Sequence, residues 1–156
     1  MIYLGTDHAG FELKEEIKKY LQEQGEEIED LGAFELNLDD DYPDFIVPVA
    51  KAVALRQASA SAKATADKQG VFGIVFGGSG QGEAIVANRF KGVRAAVYYG
   101  GNLDIVKLSR QHNDANVLSL GARFLTKEQA IEVVKIWLAT PFEGGRHQRR
   151  IEKIDQ

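Results

Sequence analysis

The sequence predicts a single α/β domain built around a mainly parallel sheet, and two observations carry that expectation. Five short apolar runs alternate with segments whose apolar residues recur at helical spacing, the pattern of successive right-handed βαβ units. The clearest run, Val71-Phe72-Gly73-Ile74-Val75-Phe76, opens directly into Gly77-Gly78-Ser79-Gly80-Gln81-Gly82-Glu83. That junction reads as a buried strand ending in a glycine turn whose N–H groups can approach a ligand without obstruction by side chains. Ligands of such sheets sit beyond the carboxyl ends of the strands. Three polar clusters fall there, on one edge: Asp7-His8, the Gly77–Glu83 loop, and Arg123.

In chain order, Ile2-Tyr3-Leu4 forms the first strand. Leu13, Ile17, Tyr20 and Leu21 then mark a helix that stops near Gly25. Glu27 to Leu31 is a weaker strand, and Asn37 to Pro43 an acidic loop. Phe45, Val49, Val53 and Ala54 share a helical face, with Pro48 predicting a start close to that proline or a kink there. Residues 56–69, biased to Ala, Ser and Lys, either extend this helix or form a solvated connection. After the Val71–Phe76 strand, Ala84 to Phe90 is compatible with a helix. Val93 to Tyr98 is a fourth strand, followed by a helix through Leu103, Val106 and Leu108. Val117 to Leu120 is a fifth. Thr126 and Gln129 form a capping-box pattern ahead of Ala130, Ile131, Val134, Trp137 and Leu138, and Thr140-Pro141 closes that helix. Glu143-Gly144-Gly145 leads into a basic C-terminal segment.

At 156 residues the chain is long enough for a core without metal or disulfide support. A net charge of −4 argues against general nucleic-acid or membrane-surface binding. The absence of cysteine excludes a disulfide framework and a thiolate nucleophile. The three histidines show no metal-ligand spacing. The first residues lack a signal-peptide pattern and no run approaches a membrane span, so the cytoplasm is the expected location.

Two anion-attracting features divide the chemistry. Arginine forks suit a phosphate dianion, and Arg146 and Arg150, four residues apart, share a helix face at about 6 Å. Arg123 and His8 are candidates to complete that cradle. From spacing alone, a solvated basic helix explains Arg146 and Arg150 equally well. The glycine loop offers partial charges that suit a transient oxyanion, with each such donor worth about 3–4 kcal/mol of barrier. It matches neither the dinucleotide fingerprint nor a P-loop. Glu83, in the first turn of the following helix, is either a base beside that oxyanion or a residue complementing the helix dipole. Asp7 and His8 either take part in chemistry or cap the helix that they precede. His112 is either a helix-end residue or a proton carrier at neutral pH.

Taken together, Thr6-Asp7-His8-Ala9-Gly10-Phe11, Asp41-Tyr42-Pro43, Gly77-Gly78-Ser79-Gly80-Gln81-Gly82-Glu83, Arg110-Gln111-His112-Asn113-Asp114 and Gly144-Gly145-Arg146-His147-Gln148-Arg149-Arg150 resemble, in this order, the ribose-5-phosphate isomerase B family, which includes the galactose-6-phosphate isomerase subunits. The match runs nearly the full length. It implies a Rossmann-like three-layer α/β/α sandwich with a five-stranded parallel sheet, in one sugar-phosphate isomerase domain over 1–156. It implies a homodimer or homotetramer with active sites shared between subunits, the helix from about residue 144 packing on a partner. No cofactor and no metal is implied.

By the same resemblance, Asp7 and His112 assist ring opening, His112 coming from the neighbouring subunit. His8, Arg123, Arg146 and Arg150 match phosphate ligands, and Asn113 and Tyr42 match sugar contacts. Ser79 and the amides of Gly78, Gly80 and Gly82 match the anion hole. Many members carry a cysteine base where this chain has Gly77; another branch uses a glutamate at the end of the loop, which is Glu83 here. The expected reaction is aldose–ketose isomerisation of ribose 5-phosphate and ribulose 5-phosphate through an enediolate. A hexose-6-phosphate isomerase (galactose or allose 6-phosphate) and a non-catalytic sugar-phosphate sensor are the alternatives.

Overall fold

The computed structural model describes residues 1–62 and 70–155. Five strands, β1 (Ile2–Thr6), β2 (Ile28–Asp30), β3 (Phe72–Gly77), β4 (Ala95–Tyr98) and β5 (Val117–Gly121), form one sheet in the order β2-β1-β3-β5-β4. Every neighbouring pair is parallel. The helices are α1 (Phe11–Glu23), α2 (Tyr42–Ala62), α3 (Gln81–Ala87), α4 (Asp104–Asn113), α5 (Lys127–Ala139) and α6 (Arg146–Ile151), with one 3-10 turn at His8–Gly10.

Alternate strand residues feed two cores, which makes the molecule three-layered. Ile2, Leu4, Ile74, Phe76, Leu118 and Leu120 pack against Leu13, Ile17 and Leu21 of α1, Val106 of α4 and Val133, Val134 and Trp137 of α5. On the other face Tyr3, Val75 and Val117 meet Ile46, Val49, Ala50 and Val53 of α2 and Ala87 of α3. Covering both faces explains why the strands read as continuous apolar runs. Thr126 and Gln129 form the reciprocal capping box at the start of α5. Among the described residues no helix is long and apolar enough to cross a membrane.

Two boundaries depart from the sequence reading. Helix α2 begins at Tyr42, not near Pro48, which lies inside the helix. Pro43 falls in the first turn, where no intrahelical N–H bond is lost, and burial of Ile46 and Val49 carries the helix past Pro48. Helix α3 starts at Gln81, within the glycine loop rather than after it, because Gly80 adopts φ 77° as its N-cap. The Ala/Ser-rich segment extends α2 as far as Ala62; its remainder, 63–69, lies outside the described residues.

One buried charge fixes how β2 and the loop after it meet α1. The Lys14 side chain is fully buried, and its Nζ donates to both Asp30 carboxylate oxygens (2.9 Å each) and to the Ala33 carbonyl (2.6 Å). Lys18 donates to the same carboxylate at 2.8 Å, and the Gly32 N–H at 3.0 Å. Burial pushes the Asp30 carboxyl up, but the two lysines and the Gly32 N–H outweigh it and hold it below its ordinary value. Stability from this group is therefore present above the unfolded Asp pKa and is lost as pH falls through the folded value. Lys14→Ala should lower the unfolding free energy by about 3 kcal/mol in urea denaturation at pH 7, because it empties a fully buried site and removes the ammonium bonds to Asp30 and to the Ala33 carbonyl, leaving Asp30 only Lys18 and the Gly32 N–H. A loss within about 0.5 kcal/mol, the range of neutral surface changes, would show the pair to be incidental.

Candidate functional site

A cleft of about 360 Å³ opens at the carboxyl edge of the sheet, lined by Asp7, His8 and Ala9 after β1, Tyr42 at the start of α2, Gly78, Ser79, Gly82 and Glu83 between β3 and α3, and Arg123 and Phe124 after β5. A larger hollow of about 530 Å³ beside α1 is lined by Glu12, Glu15, Glu16 and Lys127. Its acidic wall does not suit an anion, whereas the smaller cleft has Arg123 and the glycine loop.

The cleft is tied together by backbone. Thr6 Oγ1 lies 2.9 Å from the Asp7 carbonyl and 3.1 Å from the Phe76 carbonyl, so one hydroxyl proton joins the ends of β1 and β3. The N–H groups of Ala122 and Arg123 donate to the Gly77 and Gly78 carbonyls at 2.8 and 3.2 Å, which fixes Arg123 beside the loop. Its guanidinium lies against Gly78, 3.2 Å from where a Cβ would stand, and forms no ion pair among the described residues. The Tyr42 ring rests against Gly82 in the same way. Gly80 is buried, faces β5, and accepts the Ser119 hydroxyl at 2.5 Å. Its side of the loop turns the chain, while Gly78, Ser79 and Gly82 line the cleft.

Glu83 is the unusual group. It is 5 % exposed, and its carboxylate occupies the space that a Cβ on Gly77 would fill. Burial pushes its pKa above the ordinary value; the Asp7 charge adds to this, and its own backbone N–H pulls the other way. A carboxylate so placed holds its negative charge with little solvation, which strengthens it as a base.

Asp7 fulfils its capping expectation: Oδ1 accepts the Ala9 N–H at 3.0 Å, and the residue remains on the cleft wall. His8 has a partner that sequence reading missed. One oxygen of Asp40 receives the His8 backbone N–H at 3.0 Å and lies 2.6 Å from Nδ1. That hydrogen bond raises the His8 pKa, burial lowers it somewhat, and Asp7 raises it further against the opposing charge of Arg123. Nothing in Asp39-Asp40-Asp41 distinguishes the middle aspartate; only the loop's path does.

The remaining expected residues stand elsewhere in the chain. Helix α4 returns from the carboxyl edge, so its last residues His112 and Asn113 lie near the amino ends of β4 and β5. There Arg94 Nε donates to the Asn113 and Asp114 carbonyls at 3.0 Å each. Asp114, at φ 43°, also binds Arg94 Nη2 and Arg110 Nη1 at 2.8 Å each. Arg110 and Asp114 thus do structural work within their motif and leave His112 and Asn113 presented. Arg146 and Arg150 are exposed on α6, beside α4. His112 and His147 stack with ring centroids 4.2 Å apart and planes 5° from parallel, and Glu143 lies 3.9 Å from both Nε2 atoms. Two parallel rings do not converge their lone pairs on one point, so the cluster is poorly shaped as an ion cage. At the other end, His8 Nδ1 is engaged by Asp40. A single chain therefore carries two separate groups: Asp7, His8, Tyr42, Ser79, Glu83 and Arg123 in the cleft, and His112, Asn113, Arg146 and Arg150 at the opposite edge.

Residues 2–154 match the family model described as Ribose/Galactose Isomerase. Ribose-5-phosphate isomerase B of Mycolicibacterium paratuberculosis is 40% identical over 152 residues, covering 97% of this chain and 87% of that protein. The Escherichia coli ribose-5-phosphate isomerase B is 41% identical over 153 residues, covering 98% and 93%. A crystal structure of ribose-5-phosphate isomerase B from Mycoplasma genitalium with bound ribulose-5-phosphate superposes with a TM-score of 0.86 at 38% identity, covering 98% of this chain and 92% of that one. The Thermotoga maritima ribose 5-phosphate isomerase gives 0.84 at 42% identity, covering 99% and 96%. With the family model spanning almost every residue and relatives at this identity, the chain belongs to the ribose/galactose isomerase family.

Proposed function

We propose that this protein is an aldose–ketose isomerase that interconverts D-ribose 5-phosphate and D-ribulose 5-phosphate, with Glu83 as the proton-transfer base. The reaction rests on the family and on relatives at about 40% identity. The choice of base rests on one observation: the Glu83 carboxylate lies desolvated under the glycine loop, in the space that a Gly77 side chain would take. A carboxylate accepts a proton from C2 and returns it to C1 without moving far, because both carbons are within reach of one position. The proton lost from O2 is balanced by one gained at O1. Between the two transfers, Ser79 and the amides of the glycine loop face the developing enediolate, where fixed donors act most strongly.

Asp7 shuttles protons during ring opening together with His112, while Tyr42 and Asn113 contact the sugar. The phosphate is held by His8, Arg123, Arg146 and Arg150. Because His112, Asn113, Arg146 and Arg150 lie at the opposite edge of the same chain, each site is completed by a second copy, in a homodimer or a tetramer of such dimers. Exposed apolar side chains, among them Ile85 on α3, Ile105 and Leu108 on α4 and Phe124 beside the cleft, support burial against another subunit.

Ribose 5-phosphate turnover without added metal tests the reaction, and Glu83→Gln tests the base. The variant should fold normally and lose on the order of 10³-fold or more in kcat, since amide cannot replace carboxylate in proton transfer. A folded variant with native kcat would remove Glu83 from the mechanism. Coexpression of Glu83→Gln and His112→Ala chains tests the shared site. Each parent should be nearly inactive, and random pairing should restore about 25% of native activity, because half the dimers hold one intact site of two. No recovery from demonstrated mixed dimers would place both residues in a site within one chain.

A further inference from the structure

We infer that Asp40 is the positioning residue for His8: it holds the imidazole in one orientation, charged, with Nε2–H available for the phosphate of the substrate. The inference rests on the reading of His8 as a phosphate ligand given above, and it adds a residue outside all the motifs that pointed to the site. Its basis is geometric. A single oxygen, Asp40 Oδ1, lies 3.0 Å from the His8 backbone nitrogen and 2.6 Å from Nδ1. Backbone and ring are thus clamped to one acceptor, which removes the rotational freedom of the side chain. Among the described residues Nε2 has no hydrogen-bond partner, and His8 lines the cleft beside Arg123.

The Asp40 side chain is 7 % exposed, and its second oxygen is buried with no hydrogen-bond partner among the described residues. A buried carboxylate oxygen without a partner is costly, and a cationic imidazole on the other oxygen is the compensation that this carboxylate has. The Nδ1–Oδ1 separation is short, as expected for a charge-assisted bond.

The groups that face His8 set its charge. Asp40 from the loop before α2 and Asp7 from the end of β1 favour the cation, and Arg123 after β5 opposes it. Glu83 lines the same cleft from α3. The balance raises His8 above its ordinary 6.5, so the proton is present below that value and is lost as pH rises through the raised one. Without the Asp40 bond and charge, less of His8 carries the proton at neutral pH, and more of the phosphate meets a neutral ring. A histidine in this state is a pH-dependent anion ligand, unlike a guanidinium.

The test is Asp40→Asn, which keeps an acceptor oxygen but removes the charge, with Asp40→Ala as a second variant if the amide disturbs the loop. Two readings are taken on the intact protein. The first is the His8 ring titration, followed by nitrogen-15 NMR without substrate. The second is the pH dependence of kcat and KM for ribose 5-phosphate. The variant should titrate His8 at lower pH than the native protein. It should raise KM on the order of tenfold at pH 7.5, the loss of one charge-assisted bond to the phosphate, and the gap should narrow toward pH 5.5 as His8 of the variant gains its proton. The kcat ratio should show no such closing gap.

An unchanged His8 titration would overturn the inference, as would a lowered titration with unchanged KM at pH 7.5. A KM increase that persists unchanged at pH 5.5 would also overturn it, by showing a loop defect rather than loss of charge. Should the native protein fail to turn over ribose 5-phosphate, the isomerase reading falls separately. Affinity for inorganic phosphate, measured by calorimetry at the same two pH values, then replaces KM and decides the role of Asp40.

Discussion

The missing Cβ at Gly77 is the constraint on which the proposed chemistry of this molecule depends. Residue 77 ends β3, the central strand, and any side chain there would overlap the Glu83 carboxylate. The loop can turn back under itself and bury Glu83 because that volume is empty. Gly80, at φ 77°, then starts α3 early enough to place Glu83 in its first turn. The helix terminus favours a negative charge at this point, while burial opposes it, and burial prevails. A Cβ at position 77 and a Glu83 carboxylate in this place exclude each other sterically.

The topology of the sheet divides the remaining residues. The carboxyl ends of β1, β3 and β5, adjacent in the order β2-β1-β3-β5-β4, bring Asp7, His8, Glu83 and Arg123 to one cleft although more than a hundred residues separate the first from the last. Helix α4 must return to the amino edge before β5 can begin, so His112 and Asn113 are carried away from that cleft. The Arg94–Asp114–Arg110 network holds the end of α4 in place. Arg110 is itself anchored by the faces of Phe72 and Trp137 at 4.9 and 5.5 Å. Such investment at an edge remote from the cleft fits a surface that serves a second copy.

Much of the fold was legible from residues alone. Strands buried on both faces leave continuous apolar runs, and Thr126 with Gln129 marks the start of α5 by local chemistry. The start of α2 was not legible, because Pro48 is a strong local signal and the burial of Ile46 and Val49 that overrides it is a tertiary fact. Lys14 was equally hidden. It sits among polar residues of an amphipathic helix, and only the path of Asp30 to Ala33 over α1 turns it into a buried partner. In the site, residues adjacent to strand ends could be placed from sequence, as Asp7, Ser79, Glu83 and Arg123 show. Asp40 could not, since it acts through a loop whose course no periodicity encodes. The stack of His112 on His147 joins α4 to α6 across 35 positions and leaves no spacing signature.

The most direct test of this account is the titration of the Glu83 carboxyl carbon by carbon-13 NMR in the folded, substrate-free protein. Burial beneath the glycine loop predicts a midpoint above the ordinary glutamate value of 4.5, lowered toward that value when the fold is lost. A midpoint at or below 4.5 would mean that the carboxylate is solvated or paired, and would contradict the claim that a desolvated base lies beneath the loop.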